Sequence, residues 1–167
     1  EYRRNWHPEI VASQGSDAEV LIAGAGPAGM EAARMLGQRG YRVMLAEATR
    51  ELGGRVAREA ALPGLGEWIR VRDYRQQQIQ KMTQVQVFLE SELIADDVLA
   101  TGADHVVIAT GAHWRADGFG RSHPYPLETL NSASNILTPD DIMAGQLPSG
   151  PVAVSYTHLR AHETEAY

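Results

Sequence analysis

"LIAGAGPAGMEAARML", residues 21–36, joins an apolar run to a helical pattern through a turn that contains three glycines in the spacing GxGxxG. The apolar run predicts a strand at Glu19–Ala23, and the small and apolar residues after the turn predict a helix over Pro27–Arg39. A GxGxxG turn between a strand and a helix is typical of a loop that binds a dinucleotide. The stretch therefore predicts a nucleotide-binding loop in which the N-terminus of the helix faces the pyrophosphate.

Each glycine of this loop has its own expected role. Gly24 allows the tight turn after the strand, and Gly26 lets backbone N–H groups approach a pyrophosphate because it has no Cβ. Gly29 permits the helix to pack closely on the strand. Pro27 and Ala28 lie between these glycines in the motif, so we expect all five residues to contact the nucleotide.

An acidic residue follows the loop at a suitable distance. A second strand is predicted at 41–47, YRVMLAE, and it ends at Glu47, 18 residues after Gly29. The strand, helix and strand would form a right-handed βαβ unit. A carboxylate in this position is expected to accept both ribose hydroxyls and to repel a 2′-phosphate, which disfavours NADP. The alternative is an ordinary strand–helix turn in which Glu47 is simply solvated.

The rest of the chain continues the alternation of strands and helices. A buried parallel strand is predicted at 104–111, because the run is almost entirely apolar. Loops are predicted at 48–68 and 112–150, and the second contains a helix that begins after Thr138 with Pro139 at its first position. The other predicted elements are a polar helix at 72–82, a strand at 84–90, a short helix at 94–102 and the start of a strand at 150–154. Together they predict a three-layer, Rossmann-like α/β domain with a mainly parallel sheet.

Two further motifs follow in the order expected for a dinucleotide site. ELGGR, residues 51–55, offers a glycine pair close behind the acidic residue, and VVIATG, residues 106–111, ends a strand in Thr-Gly. Each motif alone is equally consistent with an ordinary turn. The candidate cofactor contacts outside the glycine loop and Glu47 are Ala48, Gly53, Gly54, Arg55, Thr110 and Gly111.

Composition and charge argue against several classes of function. The chain has 167 residues, a formal net charge of −6 and no cysteine, so we expect no nucleic-acid surface, thiolate catalysis or iron–sulfur ligation by this chain. No apolar stretch of the sequence is long enough to span a membrane, and we expect a cytoplasmic protein. No catalytic acid, base or nucleophile is identified. His158 and His162 have the spacing of metal ligands on a helix, but a third ligand is missing and no metal site is expected.

The order of GxGPAG, Glu, GGR and ATG resembles the FAD-binding domain of flavoproteins that carry two dinucleotide-binding domains. LPGLGEWIRVRDYRQQQ, ADDVLATGADHVVIATGAHW and LTPDDIMAG resemble, more closely, the trimethylamine, dimethylamine and histamine dehydrogenase family, of which dienoyl-CoA reductases are distant members. The resemblance implies bound ADP, as in the amine dehydrogenases, or FAD, as in the reductases. The alternatives are the FAD-binding part of an NAD(P)H-dependent reductase, similar to dienoyl-CoA reductase or the small subunit of glutamate synthase, and a pure nucleotide-binding module.

The same resemblance implies a larger parent oxidoreductase. In that family a TIM barrel holds FMN and a cysteine cluster holds a 4Fe-4S centre, both in the part before EYRRNWHPE. The barrel would be a partner of this domain within one chain, the parent would pass electrons to a partner protein, and the isolated chain would not be catalytic. Residues 154–164 resemble one reading frame of a sequencing-library adapter. The expected divisions are an arm at 1–17 after the missing iron–sulfur segment, an ADP/FAD-binding domain at 18–150, the start of a truncated second dinucleotide-binding domain at 151–153 and an artefact at 154–167.

Overall fold

Four parallel strands form the sheet in the computed structural model of the chain. Their order is β3-β2-β1-β4, and all three neighbouring pairs run in the same direction. The strands are β1 (Glu19–Ala23), β2 (Arg42–Ala46), β3 (Val85–Phe88) and β4 (His105–Ile108). This arrangement confirms the predicted Rossmann-like α/β fold, and it places the carboxyl ends of all four strands at one edge of the sheet.

The structure describes residue 13, residues 15–117 and residues 136–152. The chain divides into two compact units, Glu1–Gly111 and Ala112–Tyr167. Most of the predicted arm at 1–17 and all of the predicted artefact at 154–167 lie outside the described residues, as do His158 and His162. The predicted domain boundaries after residues 17, 150 and 153 stay predictions.

The described residues also contain five α-helices, four in the first unit and one in the second. The first, α1 (Pro27–Gln38), begins with proline at its first position and buries Met30, Ala33 and Gly37. Gly37 is required by packing, because a Cβ there would lie 2.6 Å from Cγ2 of Val85. The others are α2 (Arg55–Ala60), α3 (Arg70–Gln80), α4 (Ala95–Ala100) and α5 (Pro139–Met143), with a short 3-10 turn at Gly66–Ile69.

The core lies between the sheet and the α1–α3 pair. Ile22 of β1 pairs with Leu45 of β2 and Val107 of β4 in the sheet, and its side chain is fully buried. Met30 from α1 and Ile79 from α3 complete the same cluster. Apolar residues at alternate strand positions and at helical spacing therefore meet in one layer, which holds the glycine loop at the end of β1 in place.

Three predictions about secondary structure are wrong. The predicted loop at 48–68 contains α2 and the 3-10 turn, which are too short to show a helical period in the sequence. The 104–111 strand is not buried: β4 is the last strand of the sheet in the described residues, and Ile108 is 77% exposed. No strand begins at 150–152, where Pro151 lacks a backbone N–H for a ladder, and residues 153–154 lie outside the described part.

The helix start predicted at Thr138 is confirmed in the second unit. The Thr138 hydroxyl accepts from the N–H of Asp141 (3.3 Å), and the Asp141 carboxylate accepts from the N–H of Thr138 (2.8 Å). The hydrogen bond from the Thr138 N–H, followed by one that the Thr138 hydroxyl donates to the same carboxylate (2.7 Å), lowers the pKa of Asp141 below its ordinary value. The two side chains thus satisfy the free N–H groups at the start of α5.

Candidate nucleotide-binding site

The glycine loop packs tightly against its neighbours at the carboxyl edge of the sheet. Gly24 has a φ of +99°, and its N–H donates to the carbonyl oxygen of Ala46 at the end of β2 (2.8 Å). A Cβ at Gly24 would lie 2.5 Å from the carbonyl oxygen of Ala109 and 3.0 Å from Cα of Thr110. The loop therefore lies against the ends of both β2 and β4, which brings the predicted contact Thr110 beside it.

Gly29 and Gly26 are constrained in different ways. A Cβ at Gly29 would stand 1.9 Å from the carbonyl oxygen of Gly24, so the close approach of α1 to the loop requires glycine. At Gly26 the same construction meets no atom of the described residues within 4 Å. Protein packing thus explains Gly24 and Gly29, whereas Gly26 borders open space.

The N-terminus of α1 opens onto that space. Within the described part of the chain, no side chain caps this helix, and its first residue is Pro27, which has no N–H. The N–H groups of Ala28 and Gly29 belong to the first turn, where an α-helix supplies no acceptor. Uncapped N–H groups and the positive end of the helix dipole together favour an anion at this point.

The Gly53–Gly54 pair lies beside the glycine loop that follows β1. The Gly53 N–H donates to the carbonyl oxygen of Ala25 (2.8 Å), and a Cβ at Gly54 would lie 3.1 Å from Cα of Gly26. Arg55, the first residue of α2, is half-buried next to this pair. The structure therefore brings the Gly53–Gly54 pair next to a loop whose last glycine, Gly29, precedes Gly53 by 24 residues in the sequence.

Glu47 is buried, and its carboxylate is held from two sides. The residue is only 8% exposed. The N–H of Ala25 in the glycine loop donates to Oε2 (2.8 Å). The N–H and the hydroxyl of Thr49 donate to Oε1 at 3.0 and 2.9 Å. Glu47 is therefore not a freely solvated strand end, because it ties the loop after β2 to the loop after β1.

The remaining predicted contacts, Ala48 and Gly111, are sequence neighbours of Glu47 and Thr110. Ala48 follows Glu47 directly and is exposed. Gly111 follows Thr110, is exposed and has a φ of +82°, a conformation that favours glycine. The candidate contacts thus lie on the turns that leave β1, β2 and β4, in the first turn of α1, and on the turn before α2 with the first residue of that helix. Their part in nucleotide binding stays a prediction.

Sequence reasoning missed two residues next to the site. Thr49 donates hydrogen bonds to the carboxylate of Glu47. The sequence signal for this contact is a hydroxyl residue two positions after the glutamate, which is a spacing typical of local hydrogen bonds between side chains and backbone. Arg72 packs its aliphatic stem on Gly53, where a Cβ would lie 2.8 Å from Cδ, and its guanidinium pairs with Asp73 at 2.8 Å. The sequence gives no sign of this contact, because it joins α3 to a distant turn.

One ion pair and one cation–π contact link α1 to α3 behind the glycine loop. Glu31 pairs with Arg34 on its own helix and with Nε of Arg75 on α3 (2.8 Å). The hydrogen bond from Arg34, more than any other effect, lowers the pKa of Glu31. The guanidinium of Arg34 also lies 5.9 Å from the centre of the Tyr74 ring on α3, which is a favourable cation–π distance.

The described residues contain neither a candidate metal site nor a helix that could span a membrane. Residues 13, 15–117 and 136–152 contain no group of three or more acidic or histidine side chains that could hold a metal ion. Over the same residues, no helix combines the length and apolar character needed to cross a membrane.

Comparisons with known proteins agree with this geometry. Residues 18–140 match the family described as pyridine nucleotide-disulphide oxidoreductase. The chain is 45% identical over 156 residues to the dimethylamine dehydrogenase of Hyphomicrobium sp. (strain x), a match that covers 90% of this chain and 21% of that protein.

Solved structures lead to the same relatives. Histamine dehydrogenase from Rhizobium sp. 4-9 is 53% identical with a TM-score of 0.78, over 86% of this chain and 21% of that one. The 6-hydroxypseudooxynicotine amine oxidase from Pseudomonas geniculata N1 is 49% identical with a TM-score of 0.80, over 88% of this chain and 22% of that one. The resemblance to amine dehydrogenases is thus confirmed, and the chain spans about a fifth of the length of these relatives.

Proposed function

The chain belongs to the pyridine nucleotide-disulphide oxidoreductase family, and from this premise we propose that it is the ADP- or FAD-binding domain of a flavin-dependent, amine dehydrogenase-like oxidoreductase. The observation that carries the proposal is the meeting of the glycine loop, Glu47 and the Gly53–Gly54 pair at the carboxyl edge of a parallel sheet. In open α/β sheets this edge is where nucleotides bind.

The pyrophosphate of the nucleotide would lie over Gly26. A side chain there would enter the open space in front of α1, and glycine keeps that space clear. The N–H groups of Ala28 and Gly29 would donate to phosphate oxygens. Gly54, which lies against Gly26, would allow a second close backbone approach from the opposite loop.

Glu47 would accept a hydrogen bond from the ribose of the adenosine. Its carboxylate already has a fixed orientation, because backbone N–H groups hold one oxygen each. A fixed, buried carboxylate accepts a ribose hydroxyl at little ordering cost and disfavours a 2′-phosphate by like charge. Ala48, Arg55, Thr110 and Gly111 would line the remaining surface of the nucleotide.

The part of the parent chain outside this domain would carry the chemistry. By the family resemblance, a TIM barrel with FMN and a 4Fe-4S cluster would oxidise an amine and pass electrons to a partner protein. The role of this domain would be to bind a nucleotide next to that barrel, in a protein that we expect in the cytoplasm. The purified chain should therefore show no dye-coupled turnover of trimethylamine or histamine, and turnover by this chain alone would contradict the division of roles.

The nucleotide can be identified from the compound that the protein releases when it is denatured. The purified chain, denatured and filtered, should release one adenine nucleotide per chain. A flavin absorbance in the visible range would identify FAD, and an adenine absorbance alone would identify ADP. A folded protein that releases no nucleotide and then binds neither ADP nor FAD would contradict the proposal.

A further inference from the structure

Hydrogen-bond donors of the protein itself already occupy most acceptor positions of the Glu47 carboxylate. An ionised carboxylate offers about four acceptor positions. Among the residues that the structure describes, three donors already use them: the N–H of Ala25 on Oε2, and the N–H and hydroxyl of Thr49 on Oε1. About one position remains, on Oε2, whereas a ribose presents two hydroxyl groups.

The two donors from Thr49 are not equivalent. Its backbone N–H is fixed by the chain and holds Oε1 at 3.0 Å. Its hydroxyl has a single proton and lies between two acceptors, Oε1 of Glu47 at 2.9 Å and the carbonyl oxygen of Glu51 at 3.0 Å. Rotation of the hydroxyl toward Glu51 would free one position on Oε1 and would leave the orientation of the carboxylate unchanged.

We propose that the Thr49 hydroxyl competes with the second ribose hydroxyl for Oε1 of Glu47 and thereby weakens the recognition of the ribose diol. This inference rests on the proposed binding of an adenine nucleotide. Thr49 is a specificity-determining residue that acts through Glu47. The two backbone N–H groups set the direction of the carboxylate, and the hydroxyl sets how many ribose hydroxyls it accepts.

Thr49 is well suited to substitution because it is exposed to solvent. Thr49→Val removes the hydroxyl, keeps the branched shape and retains the backbone N–H to Oε1. Thr49→Ser keeps the hydroxyl and is the matched control. Each folded protein would be titrated calorimetrically with ADP, 2′-deoxy-ADP and 3′-deoxy-ADP, and circular dichroism would establish that the fold is unchanged.

Thr49→Val should bind ADP about three- to tenfold more tightly than the parent, which is the range of one hydrogen bond. Binding of the deoxy analogue that lacks the hydroxyl facing Oε1 should change little, so the preference for ADP over that analogue should rise by the same factor. Thr49→Ser should behave like the parent. A merely structural role for Thr49 would move all three ligands together.

Two results would overturn the assignment of Thr49. One is a Thr49→Val protein that binds ADP as tightly as the parent or more weakly. The other is an equal change for ADP and the deoxy analogues. If none of the folded proteins, the parent included, binds ADP, the proposed function fails and the inference about Thr49 fails with it.

Discussion

At the scale of single residues, each glycine of the loop has a different neighbour. Gly29 faces the backbone of Gly24 and has no room for a methyl group. Gly26 has ordinary backbone angles, with a φ of −68°, and faces space that is open in the described residues. One position is therefore constrained by folding, and the other by the ligand that we propose.

This difference predicts opposite outcomes for two alanine substitutions. Gly29→Ala should lower the free energy of unfolding by about 1–3 kcal/mol, because the new Cβ overpacks rigid backbone. Gly26→Ala should leave stability near that of the parent and weaken ADP binding by about tenfold or more, since the methyl group would stand where the pyrophosphate approaches. Urea unfolding and calorimetric titration measure the two effects. Equal stability losses in both variants would contradict the separation of roles.

Glu47 combines both kinds of constraint in one side chain. Glu47→Ala would leave the buried N–H of Ala25 without its acceptor, and an unsatisfied buried donor costs about 1–3 kcal/mol. Glu47→Gln keeps an acceptor oxygen and should be the more stable of the two. Both variants should weaken ADP binding by about ten- to hundredfold, the range of a charge-assisted contact.

Glu51→Ala is the matched control for Glu47, because the Glu51 side chain is 78% exposed and lies outside the strand end. Its ADP affinity and unfolding curve should match those of the parent. If Glu47→Gln binds ADP as tightly as the parent while Glu51→Ala does not, the wrong carboxylate has been assigned to the ribose.

At the scale of secondary-structure elements, α1 and α3 support the glycine loop from behind. Their apolar contacts form the core, and the Glu31–Arg75 pair together with the Arg34–Tyr74 contact joins their outer faces. Because α1 carries the loop at its N-terminus, its position on α3 determines where the loop N–H groups point.

The Glu31 pairs should make a small, pH-dependent contribution to stability. The pKa of Glu31 is lowered in the folded protein, so its stabilisation is fully present above the ordinary glutamate pKa and is lost as the pH falls through the lowered value. Glu31→Gln should therefore unfold more easily than the parent at pH 7, by a fraction of a kcal/mol, and the difference should shrink as the pH falls below the ordinary glutamate pKa. Glu67→Gln, which removes an exposed pair with Arg70, is the control and should unfold at the same urea concentration as the parent at pH 7.

The success of sequence reasoning also differs between elements. β1, α1 and β2 begin and end within about a residue of their predicted bounds, because each has a strong period and a glycine or proline at its end. α2 was missed because six residues after a Gly-Gly turn show no period. The exposure of β4 was missed because an apolar strand looks the same at a sheet edge as at its centre.

The candidate site was predicted in part for a related reason. Spacing along the chain indicates which residues follow a strand, so Gly24, Gly29 and Glu47 could be placed at one edge of the sheet. Spacing does not indicate which donors reach a carboxylate. The bonds from Ala25 and Thr49 to Glu47 depend on how two loops approach each other, and this is set by the packing of the whole sheet.

At the scale of the whole molecule, the proposed role of this chain is to bind a nucleotide within a longer oxidoreductase. The chain spans about a fifth of its relatives' length, and its described residues form no cluster of three or more side chains that could hold a metal ion. What they do bring together are loops suited to a pyrophosphate and a carboxylate suited to a ribose. The central claim is therefore about binding, and it can be tested on this chain alone.

Calorimetric titration of the purified, nucleotide-free chain with ADP, and separately with its 2′-phosphorylated analogue, tests that claim most directly. We expect saturable binding of ADP at one site per chain and binding of the 2′-phosphorylated analogue that is about tenfold weaker or more, because the fixed charge of Glu47 faces the added phosphate. A folded chain that binds no ADP, or that binds the 2′-phosphorylated analogue as tightly as ADP, would contradict it.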